Sequence, residues 1–365
     1  MFSPRHARRF FALLLIAALP SASGCYYLQA AAGQLEISTK SRPIDALIED
    51  AATDPALRAR LEYVRAAREF AASELKLPDN ETYRSYADLE RPFVVWNVFA
   101  TDRYAIEPRT WCFPVAGCVV YRGYFDRSAA EGYARSIRLA GGDAMVAGAV
   151  AYSTLGHFDD PVLNTMLRWD DADLAATLFH ELAHQVVYVP GDARFNEAFA
   201  TVVETAGLER WLASRGRESE LEAWRVRRSR AEDFMDLLLT TRARLSTLYA
   251  SGRNETELEG EKQQAFGQLK YEYALLRERW GGYGGYDAWF DRALNNAHLV
   301  PVATYHACVP GFERVLAEAG GDFERFYAEV RRLADISAEA RADLLCRSGP
   351  DAISASSGDS PARSP

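Results

Sequence analysis

Nine residues, Thr177 to Gln185 (TLFHELAHQ), constrain this chain more than any others. His180 and His184 stand four apart among apolar neighbours. On a helix that spacing puts both rings on one face about one turn apart, where they can reach a single metal ion. Glu181 is offset by about 100° around the same helix, near enough to touch a water on that ion without taking a coordination position. Neutral imidazoles suit zinc, and a zinc site that keeps an open position generates hydroxide near neutral pH. A helix carrying two satisfied histidines is the competing reading. Against it, the chain has only six His in 365 residues, and two of them fall here.

The helical pattern starts at Asp170, where Asp170, Asp171 and Asp173 suit the positive end of a helix, and it runs to Val189 before Pro190-Gly191-Asp192 breaks it. A second helix begins near Asn196. A third ligand should come from that neighbour, and Glu197 is a better candidate than Asp192, which lies in the turn. Val189 is about 7 to 8 Å of helix past His184, and the six residues from Pro190 to Phe195 span up to roughly 20 Å when extended, so the chain can double back. Thr201 and Glu204 follow Glu197 by four and seven residues, on its face, where either can hydrogen-bond a ligand from behind.

The remaining composition sets the context. Lys plus Arg total 42 against 51 Asp plus Glu, for a net charge of −9, and nucleic-acid binding is disfavoured. Residues 1–24 read as a secretory leader, with Arg5, Arg8 and Arg9 ahead of an apolar run from Phe10 to Leu19. That run is too short for a membrane-spanning helix, which needs about 20 residues. Export implies an oxidising compartment. Cys112, Cys118, Cys308 and Cys346 allow three pairings, of which 112 with 118 and 308 with 346 is favoured. Two amphipathic helices are expected between Pro43 and Lys76, and short strands near 93–99, 117–124 and 144–152. A helix over 127–139 should stop at Gly141-Gly142. Long charged helices fill 208–280, where the charge run from Glu218 to Arg230 reads as a solvated face. The tail, 347–365, has a disordered composition. One domain, residues 25–346, is expected: α+β, mostly helical, with a small sheet packed on the helix that carries the histidines.

Several segments resemble known families. Ala22-Ser23-Gly24-Cys25 resembles the lipobox of bacterial lipoproteins, which implies cleavage before Cys25, lipidation of that residue and a membrane partner. Tyr rather than Asp at position 26 then implies the outer membrane, facing the periplasm. HELAHQ followed by NEAFATVVE is similar to the gluzincin group of zinc peptidases, especially the aminopeptidase N type. The chain as a whole, with YYLQAAAGQLEI, AGCVVYRGYF and NNAHLVPVATY, resembles the bacterial predicted aminopeptidases. That likeness implies His180, His184 and Glu197 as zinc ligands, Glu181 as general base, and Asn196 and Glu204 as supporting groups, beside Thr201 from its place on the face of Glu197. Tyr305 is the candidate donor to the oxyanion, beside His306 and His298. Only 12 residues separate His184 from Glu197, fewer than in the aminopeptidase N pattern. The stretch with which that type recognises a free amine is absent.

The expected activity is therefore hydrolysis of peptides by zinc-activated water, as an aminopeptidase. A zinc endopeptidase, a cell-wall peptide amidase and a non-catalytic envelope scaffold with a residual zinc site are the alternatives. An edge strand from Ala149 to Gly156, followed by His157, Asp159 and Asp160, is a candidate wall for the substrate backbone.

Overall fold

The computed structural model describes residues 21–113, 117–151, 154, 158–304 and 308–346. The leader's apolar run, the tail beyond 346, His157, Tyr305 and His306 lie outside them. Cys25 falls in the first helix, with its side chain likewise outside the description.

In chain order the elements are α1 (Ser21–Lys40), β1 (Arg42–Pro43), α2 (Ile44–Glu49), α3 (Pro55–Ser73), β2 (Ser85–Ala87), β3 (Val95–Thr101), β4 (Trp111–Phe113), β5 (Gly117–Val119) and β6 (Arg122–Tyr124). Then come α4 (Arg127–Leu139), β7 (Asp143–Ala149), β8 (Val162–Leu163), α5 (Asp171–His184), α6 (Ala193–Ser214), α7 (Glu218–Tyr249) and α8 (Glu255–Arg279). The single turn α9 (Asp287–Phe290) precedes α10 (Val309–Glu318), α11 (Phe323–Ala334) and α12 (Ala338–Leu345). At 61% helix with small sheets, the chain is α+β and mostly helical. No helix among the described residues is long and apolar enough to cross a membrane.

The principal core wraps α5. Leu174, Leu178, Phe179 and Leu182 are fully buried against Leu61 and Val64 of α3, Phe199 and Val203 of α6, and Phe312 and Phe326 of the C-terminal helices. The antiparallel sheet β6-β3-β7 lies elsewhere than expected. Strand alternation turns Trp96, Val98 and Ala100 toward Ala130, Ala134 and Ile137 of α4, and Phe99 and Met145 toward Ala297 and Val300. The short mixed sheet β1-β2-β8 shares the core of α5 through Tyr86, Ala87, Val162 and Leu163, and the antiparallel sheet reaches it only at one end, through Val95 of β3 and Ala149 of β7. Helix α4 stops as its sequence suggests, with Gly141 at φ +85° and the Gly142 amide donating back to Ile137.

A second core forms where α7 and α8 fold back on each other around Phe234, Leu245, Leu269 and Tyr273. Two disulfides are present: Cys112–Cys118 across the β4–β5 hairpin, and Cys308–Cys346 joining the start of α10 to the end of α12.

Candidate metal centre

Helix α5 is held firmly at its N-terminus. Asp170 caps it by accepting from the Asp173 amide at 2.8 Å, Asp171 pairs with Arg60 and Arg217, and Asp170 pairs with Arg227 at 2.8 Å. The helix ends at His184, earlier than the expected Val189. Competing hydrogen bonds explain this: Gln185 exchanges side-chain bonds with Asn80 and Thr82, and Asn196 takes both backbone groups of Val189 (2.8 and 2.9 Å). The chain therefore turns after one further tight bend, with Gly191 at φ +82°. Asp192 caps α6 by accepting from the Phe195 amide and is itself clamped by Arg341 of α12 at 2.9 Å. Farther along, a Cβ on Gly207 would lie 3.1 Å from Phe179, so glycine lets α6 lie close to α5.

This turn places Glu197 opposite the histidines. The Nε2 atoms of His180 and His184 are 3.2 Å apart, Glu197 Oε2 is 3.4 Å from the first, and Glu197 Oε1 is 3.9 Å from the second. One ligand atom from each side chain lies within 4.8 Å of the other two. A tetrahedral zinc ion with bonds of about 2.0 to 2.2 Å spaces its ligands about 3.3 to 3.6 Å apart, so these donors already stand close to the separation of one coordination shell. Two imidazoles and one carboxylate suit zinc and leave a fourth position for water.

The charges around these side chains are strongly coupled. Burial alone would lower the pKa of His180, but Glu197, Glu204 and Glu181 outweigh it and push His180 up to about 10. His184 goes the other way, to about 4, through burial and then the charge on His180. Glu197 is held below the usual carboxylate value because the two histidines overcome its burial. Bringing a cation here must therefore displace a proton from the pair.

The other residues that the sequence singles out are distributed unevenly around this cluster. Glu204 Oε2 lies 3.0 Å from His180 Nδ1, behind the ligand ring. Glu181 is half-buried, and its charge reaches the hydroxyls of Tyr83 and Tyr121. Asn196 serves the turn rather than the cluster. Thr201 is buried and makes no side-chain hydrogen bond among the described residues. His298 packs edge-on to Trp289 and bonds to Asn295, a structural position. Asp160 is a buried acceptor for Thr154, so it braces its loop.

Three side chains near the cluster are not anticipated by the sequence reading. Arg228 reaches Glu204 Oε1 at 3.3 Å, which corrects the reading of 218–230 as a solvated face: Leu221 and Trp224 are buried, and Arg227 and Arg228 point inward with them. The recurrence Leu221, Trp224, Arg228 at helical spacing was the available signal. Tyr188 stands edge-on to His184, with ring centroids 6.4 Å apart. Tyr121 leaves the sheet beside Phe99, and its hydroxyl pKa is raised by burial, Tyr188, Glu197 and Glu181 in turn. Nothing in the local pattern marks a tyrosine on a strand end as facing a helix pair.

No curated protein and no solved structure matches the chain. A family model does match, over residues 25–345, which covers nearly all of the described residues. The chain belongs to the family described as "Putative aminopeptidase", and that membership supports a peptidase-like function.

Proposed function

We propose that this protein is a zinc metallopeptidase of gluzincin type that releases residues from the amino ends of peptides. It is held by lipid on Cys25 to the outer membrane and faces the periplasm. One observation carries the reading: His180, His184 and Glu197, spaced in sequence as HExxH and a later Glu, have their ligand atoms within 4.8 Å of one another. The family supports the peptidase part, and the leader with its small residues before Cys25 supports the anchor.

His180, His184 and Glu197 would hold the zinc, which when bound would supply Lewis acidity toward a water and the scissile carbonyl. Glu181, one residue along from His180, accepts the proton of the attacking water and delivers it to the leaving amine. Glu204 accepts a hydrogen bond at His180 Nδ1, which leaves Nε2 as the ligand atom. A hydroxyl is needed to donate to the carbonyl oxygen as negative charge grows on it. Tyr305 is the candidate from family likeness.

The test is metal analysis and hydrolysis by the purified mature protein and its Glu181→Gln variant, on aminoacyl amides and on amino-blocked peptides. About one zinc per chain is expected in both proteins, with cleavage of the free-amine substrates by the unmodified one alone. Cleavage that survives Glu181→Gln with zinc retained refutes the mechanism, and cleavage of blocked peptides only makes the protein an endopeptidase.

A further inference from the structure

The metal ligands differ in how their rings are held. His184 Nδ1 is buried with no hydrogen-bond partner among the described residues, so none of them fixes that imidazole from behind. His180 is oriented by a chain of side chains that leaves the helix pair. Its Nδ1 bonds Glu204 Oε2 at 3.0 Å, and the second oxygen of that carboxylate, Oε1, lies 3.3 Å from an Arg228 guanidinium nitrogen. Arg228 belongs to α7, a different element, and is fixed in turn by Glu232 at 3.4 Å and by the Trp224 ring 5.9 Å below its guanidinium. The three side chains of the relay keep only 17, 15 and 25% of their surface.

We infer that Arg228 is a positioning residue for the metal centre, acting through Glu204 on His180. The inference rests on the metallopeptidase reading. A glutamate side chain has three rotatable bonds between Cα and its carboxylate, so one contact to an imidazole does not determine which way the group faces. With Arg228 on one oxygen and His180 on the other, both oxygens have assigned partners and the carboxylate plane is set. The imidazole is then held with Nε2 toward His184 and Glu197. Arg228 also balances the charge of Glu204, so the carboxylate can stay behind the ligand without adding net negative charge to a largely buried place.

Groups that orient a ligating histidine typically contribute about 10- to 100-fold to metal affinity. The experiment is a double-substitution cycle on the full mature chain, reading the zinc dissociation constant by competition with a chromophoric chelator. Visible absorption of the cobalt-loaded protein serves as a second readout of ligand geometry. Arg228→Met and Glu204→Gln should each weaken zinc by about 10-fold or more and shift the cobalt bands, and the double variant should be no weaker than Glu204→Gln alone. Arg228→Lys, which keeps the charge but not the fork, should fall between wild type and Arg228→Met, and it keeps the test open if the methionine variant does not fold. Wild-type affinity and an unchanged cobalt spectrum in folded Arg228→Met or Arg228→Lys overturn the inference, as do fully additive losses in the cycle. If the unsubstituted chain takes up neither ion, the metallopeptidase reading itself fails, a result distinct from either.

Discussion

Two helix pairs in this protein, one of 14 and 22 residues and one of 32 and 25, do opposite things with their charges. In α5 and α6 the polar groups point inward: His184 is 6% exposed, and Glu197 and Glu204 face it and His180 from the neighbouring helix. In α7 and α8 the polar groups mostly point outward, while an apolar seam of Phe234, Leu245, Leu269 and Tyr273 fills the middle. The first pair accepts unfavourable burial of titratable groups, and burial of His184 together with the carboxylates beside His180 shifts the two pKa values apart. The second is held chiefly by hydrophobic area, with Arg244 to Glu272 at 3.0 Å and Trp280 to Asp233 at 2.8 Å crossing between the helices. The two arrangements meet on α7, where Arg227 and Arg228 turn toward the polar pair rather than away from it.

The contrast between the pairs is most open to refutation at Glu181. Glu181→Gln should lower peptide hydrolysis by about 10²- to 10⁴-fold while zinc content stays at the wild-type level, since the glutamate supplies proton transfer and no ligand. Loss of zinc together with activity would assign Glu181 to the coordination shell instead. Next in size is Leu269→Ala in the apolar pair. It should cost about 2 to 5 kcal/mol in denaturant unfolding and leave the zinc dissociation constant unchanged, because its cavity lies in the other core. A matching drop in zinc affinity would mean that the two cores are not separable.

Metal removal acts on the polar pair alone. Chelation should lower the melting temperature of the wild type, with a stabilisation on adding back zinc of about 2.7 kcal/mol at a free concentration one hundred times the dissociation constant. His184→Ala should abolish that response. The dependence on pH follows from His180, whose folded value of about 10 lies above that of an unfolded imidazole, about 6.5. Its contribution to the stability of the chelated protein is complete below about pH 6.5 and is lost as pH rises through about 10. Zinc affinity should run the other way, rising by up to about tenfold per pH unit over the same window as the competing proton leaves. Chelated stability that increases from pH 7 to 10 in a wild type to His180→Gln comparison contradicts the assignment. The least change belongs to the exposed outer face: Glu222→Ala on α7 should change stability by less than about 0.5 kcal/mol.

The helices are legible in the sequence because their signals are local. Residues 127–139 end where two glycines follow, and the two helices expected between Pro43 and Lys76 form as α2 and α3. Helix α5 ends five residues before its pattern does because Gln185 bonds Asn80 and Thr82, 105 and 103 residues away, and Asn196 takes the backbone of Val189 seven residues before it. The placement of the antiparallel sheet is not legible either. Alternation shows that a strand has two faces and does not say which helix covers each. The same holds for Arg228, an arginine among many in a charged run until another helix presents Glu204 to it.

What the linear order of residues settled was local: two histidines one helical turn apart, a carboxylate between them, and a break that allows the chain to return. Spacing along one helix is a matter of bond geometry, so it can be read without knowing the neighbours. What only tertiary packing decided is which way the returning helix faces, and hence that Glu197 meets both imidazoles while Glu204 and Arg228 stand behind one of them. Those relations depend on how apolar faces dozens of residues apart fill a common core, and no spacing rule along the chain encodes that.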